Sequence, residues 1–462
     1  MLKVAIHVAG FFPESFGGGQ EYSRLLAHEL TRRGYEAVVI TPAPGLTNGA
    51  QLPLHERSFE RISVVEYRLD RAGLTPVERQ GGLGSRSIAI ARATLEHVRP
   101  DIVHLDDTNP AMAVAARELL VPSVVVAHHV GIACPVGDLL RPNGAVCAER
   151  MGASPCVACC CARRTDNGLS GRILGSLPRW IGRPVGRFVD RAEPSSPALR
   201  GLMFPWAIER RIEAYALRLH LAQLIVSPSN AIRMLLIRNG VTPDRIRLEP
   251  HGIEPLTRTP IPPFAGRSVR FGYAGRIVRD KGLHVVFEAL QRLDENARCR
   301  FLIAGKAQTN GDQQYLNDLV QSYDGPAGIE VLGYSPPDEL GALFSRSDVV
   351  IVPSLVPEAF GLVVAEAFSA GRPVIVSDSG ALPELVRDGV DGFVVARGDS
   401  EALAKKMLEF IEHPDLITRM SDSAPAVRTI GDYAGAMEQL YSGLLAAEPA
   451  QRLGERKHGA EA

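Results

Sequence analysis

The sequence predicts an α/β protein of two tandem, Rossmann-like, doubly wound domains with a cleft between them. Three observations carry this. Short apolar strands alternate with helical spacing through residues 3–41 and 101–249. A second alternating series runs from Val269 to Val395. Between the two, Pro250, Pro255, Pro260, Pro262 and Pro263 punctuate the chain as a linker. Strands apolar on both faces imply a parallel sheet covered by helices on both sides.

The elements follow in order. Residues 3–9 read as a buried strand, Gly17-Gly18-Gly19 breaks the chain, and residues 20–33 have helical spacing at Tyr22, Leu25, Leu26, Glu29 and Leu30. Gly34 ends that helix and residues 37–41 form the next strand. Strand, helix and strand recur at 101–105, 110–120 and 123–127, then at 223–227, 230–239 and 245–249. Residues 134–216 fit no alternation and are too long for a loop, so they form an inserted subdomain, helical near 179–189 and 204–219. In the second series, strands are expected at 269–274, 300–304, 329–332, 349–353, 373–376 and 392–395. This gives a first domain over 1–250, a linker over 251–267 and a second domain over 268–425. A helix over 426–447 then returns toward the first domain, and a polar, disordered tail covers 448–462.

Composition narrows the function classes. The 462 residues exceed one ordinary core, and 45% hydrophobic with 22% charged residues is ordinary for a soluble globular enzyme. A net charge of −1 carries no nucleic-acid signature. The charge is uneven: residues 1–250 hold 30 Lys+Arg against 23 Asp+Glu, so the first half is basic and the second acidic. No apolar run is long enough to cross a bilayer. The apolar start lacks a cleavage site and runs into a Gly-rich turn, which argues against a signal peptide. Five of the seven cysteines fall between Cys147 and Cys161, unlike a secreted disulfide framework, so a cytoplasmic setting is expected.

Four constellations carry chemistry. Gly17-Gly18-Gly19 precedes a helix N-terminus, where backbone N–H groups can meet an anion; alone, it is equally a tight turn. Gly275-Arg276 ends a strand and Lys281-Gly282 opens the next helix, two cations placed for a diphosphate. Glu358-Ala359-Phe360-Gly361-Leu362 leads into a helix containing Glu366. Glu358 can reach sugar hydroxyls, Glu366 can accept from a ribose diol, and the N–H groups of Phe360, Gly361 and Leu362 face whatever lies above the helix start. His128-His129 ends a first-domain strand, with His128 facing the expected cleft.

These residues resemble the GT-B glycosyltransferases of family 4. Glu358 with Glu366 and Phe360-Gly361 is similar to that family's signature. Gly275-Arg276 with Lys281-Gly282 is similar to its phosphate-binding segment, and Gly17-Gly18 with Glu21 to its N-terminal loop. Val226-Ser227-Pro228-Ser229 and Pro250-His251-Gly252-Ile253-Glu254 are similar to the stretch entering its hinge, with His251 where Asn is usual. His128-His129 with Cys134-Pro135 resembles a His-Asp…Cys-Pro segment, with His129 in the Asp place. The resemblance covers the chain outside residues 147–216. It implies a retaining, metal-independent transfer from a nucleotide diphosphate sugar to a glycan or lipid-linked acceptor, with no cofactor required. Arg276, Lys281, Glu358 and His128 are the implied catalytic residues. Gly17, Gly18, Arg276, Lys281, Glu358, Phe360, Gly361, Leu362 and Glu366 are the implied donor-binding residues. Rival readings are a nucleotide-sugar epimerase, disfavoured by the Glu358/Glu366 spacing, and a non-catalytic nucleotide-sugar binder, disfavoured because no Glu or Arg is lost.

Two segments leave alternatives open. Cys134, Cys147, Cys156 and Cys159 include a C-x2-C element, which suits a structural zinc site or a set of reduced, unliganded thiols. Residues 163–218 carry eleven arginines against five acidic residues, interleaved with Leu174, Leu177, Trp180, Ile181, Val185, Phe188, Met203, Phe204 and Trp206. This is either a helical subdomain with its own core or a peripheral contact with an anionic membrane on its cytosolic face.

Overall fold

A computed structural model describes residues 1–13, 15, 17–43, 54–68, 78, 83–106, 109–164, 173, 179–192, 197–264, 266–333 and 340–458. Asp107, Asp166, Arg172, Leu174, Leu177, Glu193 and residues 459–462 lie outside the described residues, as do the side chains of Arg164, Arg179, Arg191 and Arg200. The chain divides into two compact units. The first holds Met1–Pro228, Ile232–Pro250 and Ile430–Ala462, and the second holds Ser229–Ala231 and His251–Thr429.

The first unit contains β1 (Lys3–His7), α1 (Gly18–Arg32), β2 (Glu36–Pro42), β3 (His55–Phe59), β4 (Ile62–Tyr67), α2 (Ser85–Val98), β5 (Ile102–Leu105), α3 (Pro110–Glu118) and β6 (Ser123–Val126). The inserted helices α4 (Ala153–Arg164), α5 (Arg179–Ala192) and α6 (Pro197–Leu221) follow, then β7 (Leu224–Ser227), α7 (Asn230–Arg238, of which Asn230 and Ala231 count with the second unit) and β8 (Ile246–Leu248). Its eight strands run β3-β4-β2-β1-β5-β6-β7-β8. Only the β3–β4 pair is antiparallel. The order reverses between β1 and β5, which makes that crevice the ligand-binding position of such a sheet.

The second unit contains β9 (Val269–Ala274), α8 (Leu283–Gln291), β10 (Cys299–Ala304), α9 (Asn310–Gln321), β11 (Gly328–Gly333), α10 (Leu340–Arg346) and β12 (Val349–Val352). After these come α11 (Leu362–Ser369), β13 (Val374–Ser377), α12 (Leu382–Leu385), β14 (Gly392–Val395), α13 (Ser400–Glu412) and α14 (Asp415–Ser423). All six strands are parallel, in the order β11-β10-β9-β12-β13-β14. Alternate residues feed opposite faces, as a pleated strand requires. Phe271, Tyr273, Phe301, Ile303, Val349 and Ile351 enter one core. Ala274, Leu302, Ala304, Val350, Val374 and Val376 enter the other. The reversal falls between β9 and β12, the strands that carry the candidate donor residues at their carboxyl ends.

Two expected boundaries are corrected. The proline-rich residues 251–267 are no free linker: Ile253 donates to the Arg428 carbonyl at 3.0 Å, and Leu256 N–H donates to Ser369 Oγ at 2.7 Å. Proline lacks an N–H donor, and other residues of this segment supply the bonds that tie it to the second unit. The expected tail from residue 448 is also absent to His458, because one helix, α15 (Ile430–His458), continues through it. The helix continues even though Pro449 and Gly454 lie in this stretch, so the sequence alone reads as a tail.

α15 belongs to the first unit and buries Tyr433, Met437 and Tyr441 against Tyr22, Leu26 and Leu30 of α1. The buried hydroxyls are paired: Tyr22 Oη lies 2.6 Å from Tyr433 Oη, and His104 Nδ1 lies 2.7 Å from Tyr441 Oη. Burial, helped by the nearby His128, pushes the His104 imidazole down to about 3. The unfolded chain binds a proton near pH 6.5 that the native state refuses. Stability should therefore fall as pH drops from about 6.5, by up to about 1.4 kcal/mol per pH unit from this group. His284, lowered by burial and Arg279, acts in the same direction. The lowered carboxylates Glu29, Asp348 and Glu358 enter only at more acid pH. Urea midpoints measured between pH 5 and 7 check this. His104→Gln should flatten the slope, and an unchanged slope would refute the assignment.

Candidate active site

The donor-side residues assemble where β9 and β12 end. Gly275 N–H bonds the Ala304 carbonyl at 3.1 Å, and Tyr273 Oη donates to the Arg276 carbonyl at 2.7 Å, which fixes the turn that carries Arg276. Arg276 itself is exposed. Lys281 ends a short 3-10 turn, Arg279–Lys281, and α8 begins only at Leu283, two residues later than the sequence suggested. Gly282 has φ 75°, and a Cβ there would fall 2.0 Å from the Pro353 carbonyl oxygen. Leu355 N–H also bonds the Asp280 carbonyl at 2.9 Å. The β9 and β12 loops are thus stitched to each other across the switch point.

This stitching brings Lys281 to Glu358, 77 residues away in sequence, with Nζ 2.5 Å from Oε1. Burial pushes the Glu358 carboxyl up. Lys281's charge and hydrogen bond, the Ser354 hydroxyl and the Arg276 charge more than reverse it, so Glu358 sits below the usual carboxylate range. An ionised, ion-paired Glu358 is suited to accept hydrogen bonds and unsuited to donate a proton. Its backbone is held by Gly380: Ala381 N–H bonds the Glu358 carbonyl at 2.9 Å, and a Cβ on Gly380 would fall 2.3 Å from that oxygen.

Gly361, with φ 104°, turns the chain into α11, whose first residue is Leu362. Phe360 is buried edge-on to the His251 ring, centroids 5.4 Å apart, and Ser229 Oγ bonds the Ala359 carbonyl at 2.7 Å. The helix start is therefore rigidly aimed. Glu366 follows one turn into α11 and is half-buried, while Val364, Ala365, Ala367 and Phe368 are buried. Arg276, Lys281, Glu358, Phe360, Gly361 and Leu362 thus lie on two adjoining loops, with Glu366 on the helix that one of them opens.

The other residues singled out from the sequence belong to the first unit. Gly17 caps α1 in an extended conformation and Gly18 begins the helix; Gly17 carbonyl accepts from Glu21 N–H at 2.9 Å. His128 follows β6, and its ring meets the edge of Tyr22 on α1 at 4.3 Å between centroids. His128 and the glycine turn are therefore linked through one helix. His129 caps the next turn: Gly131 N–H donates to its Nδ1 at 2.9 Å. An Asp in that place could accept the same bond, so imidazole and carboxylate are interchangeable for this task.

Sequence reasoning missed two supports. Ser354, which helps hold Glu358, carries no spacing signal. Asp106 accepts Ala9 N–H at 2.8 Å and lies 3.3 Å from His7 Nδ1, which pins the exit of β1 toward the glycine turn. The Asp106-Asp107 pair at a strand end was the available hint.

The cysteines are free thiols. Cys147 N–H bonds the Leu139 carbonyl at 2.8 Å, and Cys159 Sγ lies 4.0 Å from the Leu140 carbonyl. Burial pushes the Cys156 thiol up to about 11, with Cys134, Cys147 and Cys159 adding to the rise. Among the described residues, no group of three or more His, Cys, Asp or Glu is gathered to hold a metal ion.

Comparison with known proteins places the chain in a family. Residues 260–427 match the family "Glycosyl transferases group 1", and residues 16–159 match "Glycosyltransferase Family 4". Glycogen synthase of Mycobacterium tuberculosis is 32% identical over 434 residues, covering 89% of this chain and 86% of that protein. D-inositol 3-phosphate glycosyltransferase of Streptomyces griseus is 32% identical over 210 residues, covering 41% of this chain and 44% of that protein. Matches to this and six further relatives span 33% to 59% of those proteins' lengths. Sucrose-phosphate synthase from Thermosynechococcus elongatus shares the fold with TM-score 0.64 at 19% identity, covering 97% of this chain and 100% of that one. Anabaena HepE in complex with UDP-glucose does so with TM-score 0.63 at 17% identity, covering 96% and 100%. The chain belongs to the group 1, family 4 glycosyltransferases and has their GT-B fold, as its motifs implied.

Proposed function

We propose that this protein moves a sugar from a nucleoside diphosphate sugar to a hydroxyl of a glycan or lipid-linked acceptor, with retention of configuration and without a catalytic metal. The observation that carries this reading is the convergence of Arg276, Lys281 and Glu358 at the β9/β12 switch point. In the transfer, the acceptor oxygen bonds to the anomeric carbon while the bond from that carbon to the diphosphate oxygen breaks. The leaving oxygen takes the electron pair, and the acceptor's proton passes to the departing phosphate. Negative charge grows on the diphosphate as the bond breaks, so Arg276 and Lys281 act more strongly in the transition state than in the ground state. Glu358 binds sugar hydroxyls, Glu366 the ribose, and the N–H groups of Phe360, Gly361 and Leu362 face the diphosphate. A lipid-linked acceptor would place the enzyme at the cytosolic face of a membrane.

The glycogen synthase relative and the UDP-glucose complex of HepE make glucose donors the first to test. A thermal-shift panel of UDP, GDP and ADP with their sugars identifies the donor, because a bound ligand raises the unfolding midpoint by mass action. NMR of the product anomer then tests retention, and an inverted product would refute that part. Turnover should survive EDTA, since side-chain cations occupy the place where charge develops. Prompt, Mg²⁺-reversible inactivation would count against it.

A further inference from the structure

The inserted helices divide their aromatic residues between two environments. Met203 and Trp206 of α6 pack with Val189 and Ala207 in a small core, and Phe204 packs beside Ile208 and Ile212. α5 lies tightly on this core, since a Cβ on Gly186 would fall 2.3 Å from Trp206 Cβ. That contact fixes which face of α5 turns outward. Trp180 and Phe188 on that face are 77% and 73% exposed, and Ile173, just before the helix, is 58% exposed. At about 100° per residue, Trp180, Pro184 and Phe188 form the middle of the outer face, with Arg183 and Arg187 along one margin. Both arginines are exposed. Arg183 reaches Glu209 at 2.6 Å, and the Arg187 guanidinium lies over the Trp206 ring, 5.5 Å from its centroid. Residues 179–192 carry four arginines against the single acid Asp190.

We propose that α5 docks flat on an anionic lipid bilayer, with Trp180 and Phe188 seated at the headgroup level and Arg187 among the lipid phosphates. Aromatic rings beside cations suit that layer, where one end of a side chain is dry and the other wet. A helix of 14 residues spans about 21 Å, short of the roughly 30 Å hydrocarbon core, so α5 lies on the membrane. No helix among the described residues is long and apolar enough to cross. Charge selects the surface: a net positive helix is drawn to anionic lipid within a Debye length. The proposal deepens the lipid-linked acceptor reading and rests on it, but docking is measured without any transfer.

The test is sedimentation of the full chain with vesicles of phosphatidylglycerol and phosphatidylcholine, against vesicles of phosphatidylcholine alone, at low and high salt. Binding should favour the anionic vesicles at low salt and fall at high salt. A Trp180→Ser, Phe188→Ser variant with an unchanged unfolding midpoint should lose binding roughly tenfold or more. The chain has only two tryptophans, and Trp206 is buried, so Trp180 reports directly. Anionic vesicles should blue-shift the emission of the wild type and leave Trp180→Phe unchanged. Absence of binding to anionic vesicles overturns the proposal, as does binding that the double variant retains. Self-association lost in the double variant, with no vesicle binding, would assign the stripe to a second copy instead. Sugar transfer without vesicle binding would remove only the docking; vesicle binding without transfer would remove only the transferase reading.

Discussion

Arg276→Ala should slow sugar transfer roughly a hundred- to a thousandfold, about 2–4 kcal/mol of transition-state stabilisation. Arg276 is exposed on a turn fixed by Tyr273, so its removal leaves the fold of the second unit intact. Its charge helps hold the Glu358 carboxyl below the usual carboxylate range, so the two groups act on one another. Lys281→Ala should also slow transfer, and the double variant should fall further. The two losses should not multiply fully, because both cations act on one diphosphate. Steady-state turnover with saturating donor and acceptor checks this. Wild-type turnover in the double variant would remove Arg276 and Lys281 from the mechanism.

Glu358→Gln separates sugar binding from diphosphate binding. Lys281 is engaged by Glu358 at 2.5 Å, and that pair would compete with a phosphate for the same ammonium. Glutamine keeps the size and removes the charge. Free nucleoside diphosphate should then bind at least as tightly as to the wild type. Transfer should fall roughly ten- to a hundredfold, the worth of a charged hydrogen bond of about 1.5–3 kcal/mol. Glu366→Gln should do the reverse in binding and weaken the free nucleotide through the ribose. Calorimetric titration of both variants with the same diphosphate decides the matter. Equal loss of affinity in both would contradict the division.

The fold was legible where one physical signal dominated. β9 and β14 match their expected bounds, because largely buried parallel strands are short, mostly apolar runs. β3 was not legible: His-Glu-Arg-Ser-Phe is a polar, exposed edge strand, charged as edges are, and nothing in it alternates. α4 escaped notice because its Ser, Pro and four-cysteine composition gives little helical signal, and its burial is decided by Ile208 and Ile212 on another helix. The site showed the same division. Arg276, Lys281, Glu358 and Glu366 could be picked out because each stands near a strand end or helix start. The Lys281–Glu358 pair could not, since it depends on Gly282 and Leu355 bringing two loops together. Nor could the sequence divide Trp180 from Trp206: both sit among arginines, and only the close approach at Gly186 turns one inward and leaves the other out.

α15 has a consequence for how the chain is made. Tyr433 and Tyr441 complete the packing of α1 and partner Tyr22 and His104, yet they are synthesised after the whole second unit. The residues between Pro250 and Ile430 take roughly ten to forty seconds to translate at 5–20 residues per second. Throughout that interval the nascent first unit holds an apolar face without its native cover. The part of the chain that emerges first is thus the last to be finished, and its exposed face is the natural client of a chaperone at the ribosome.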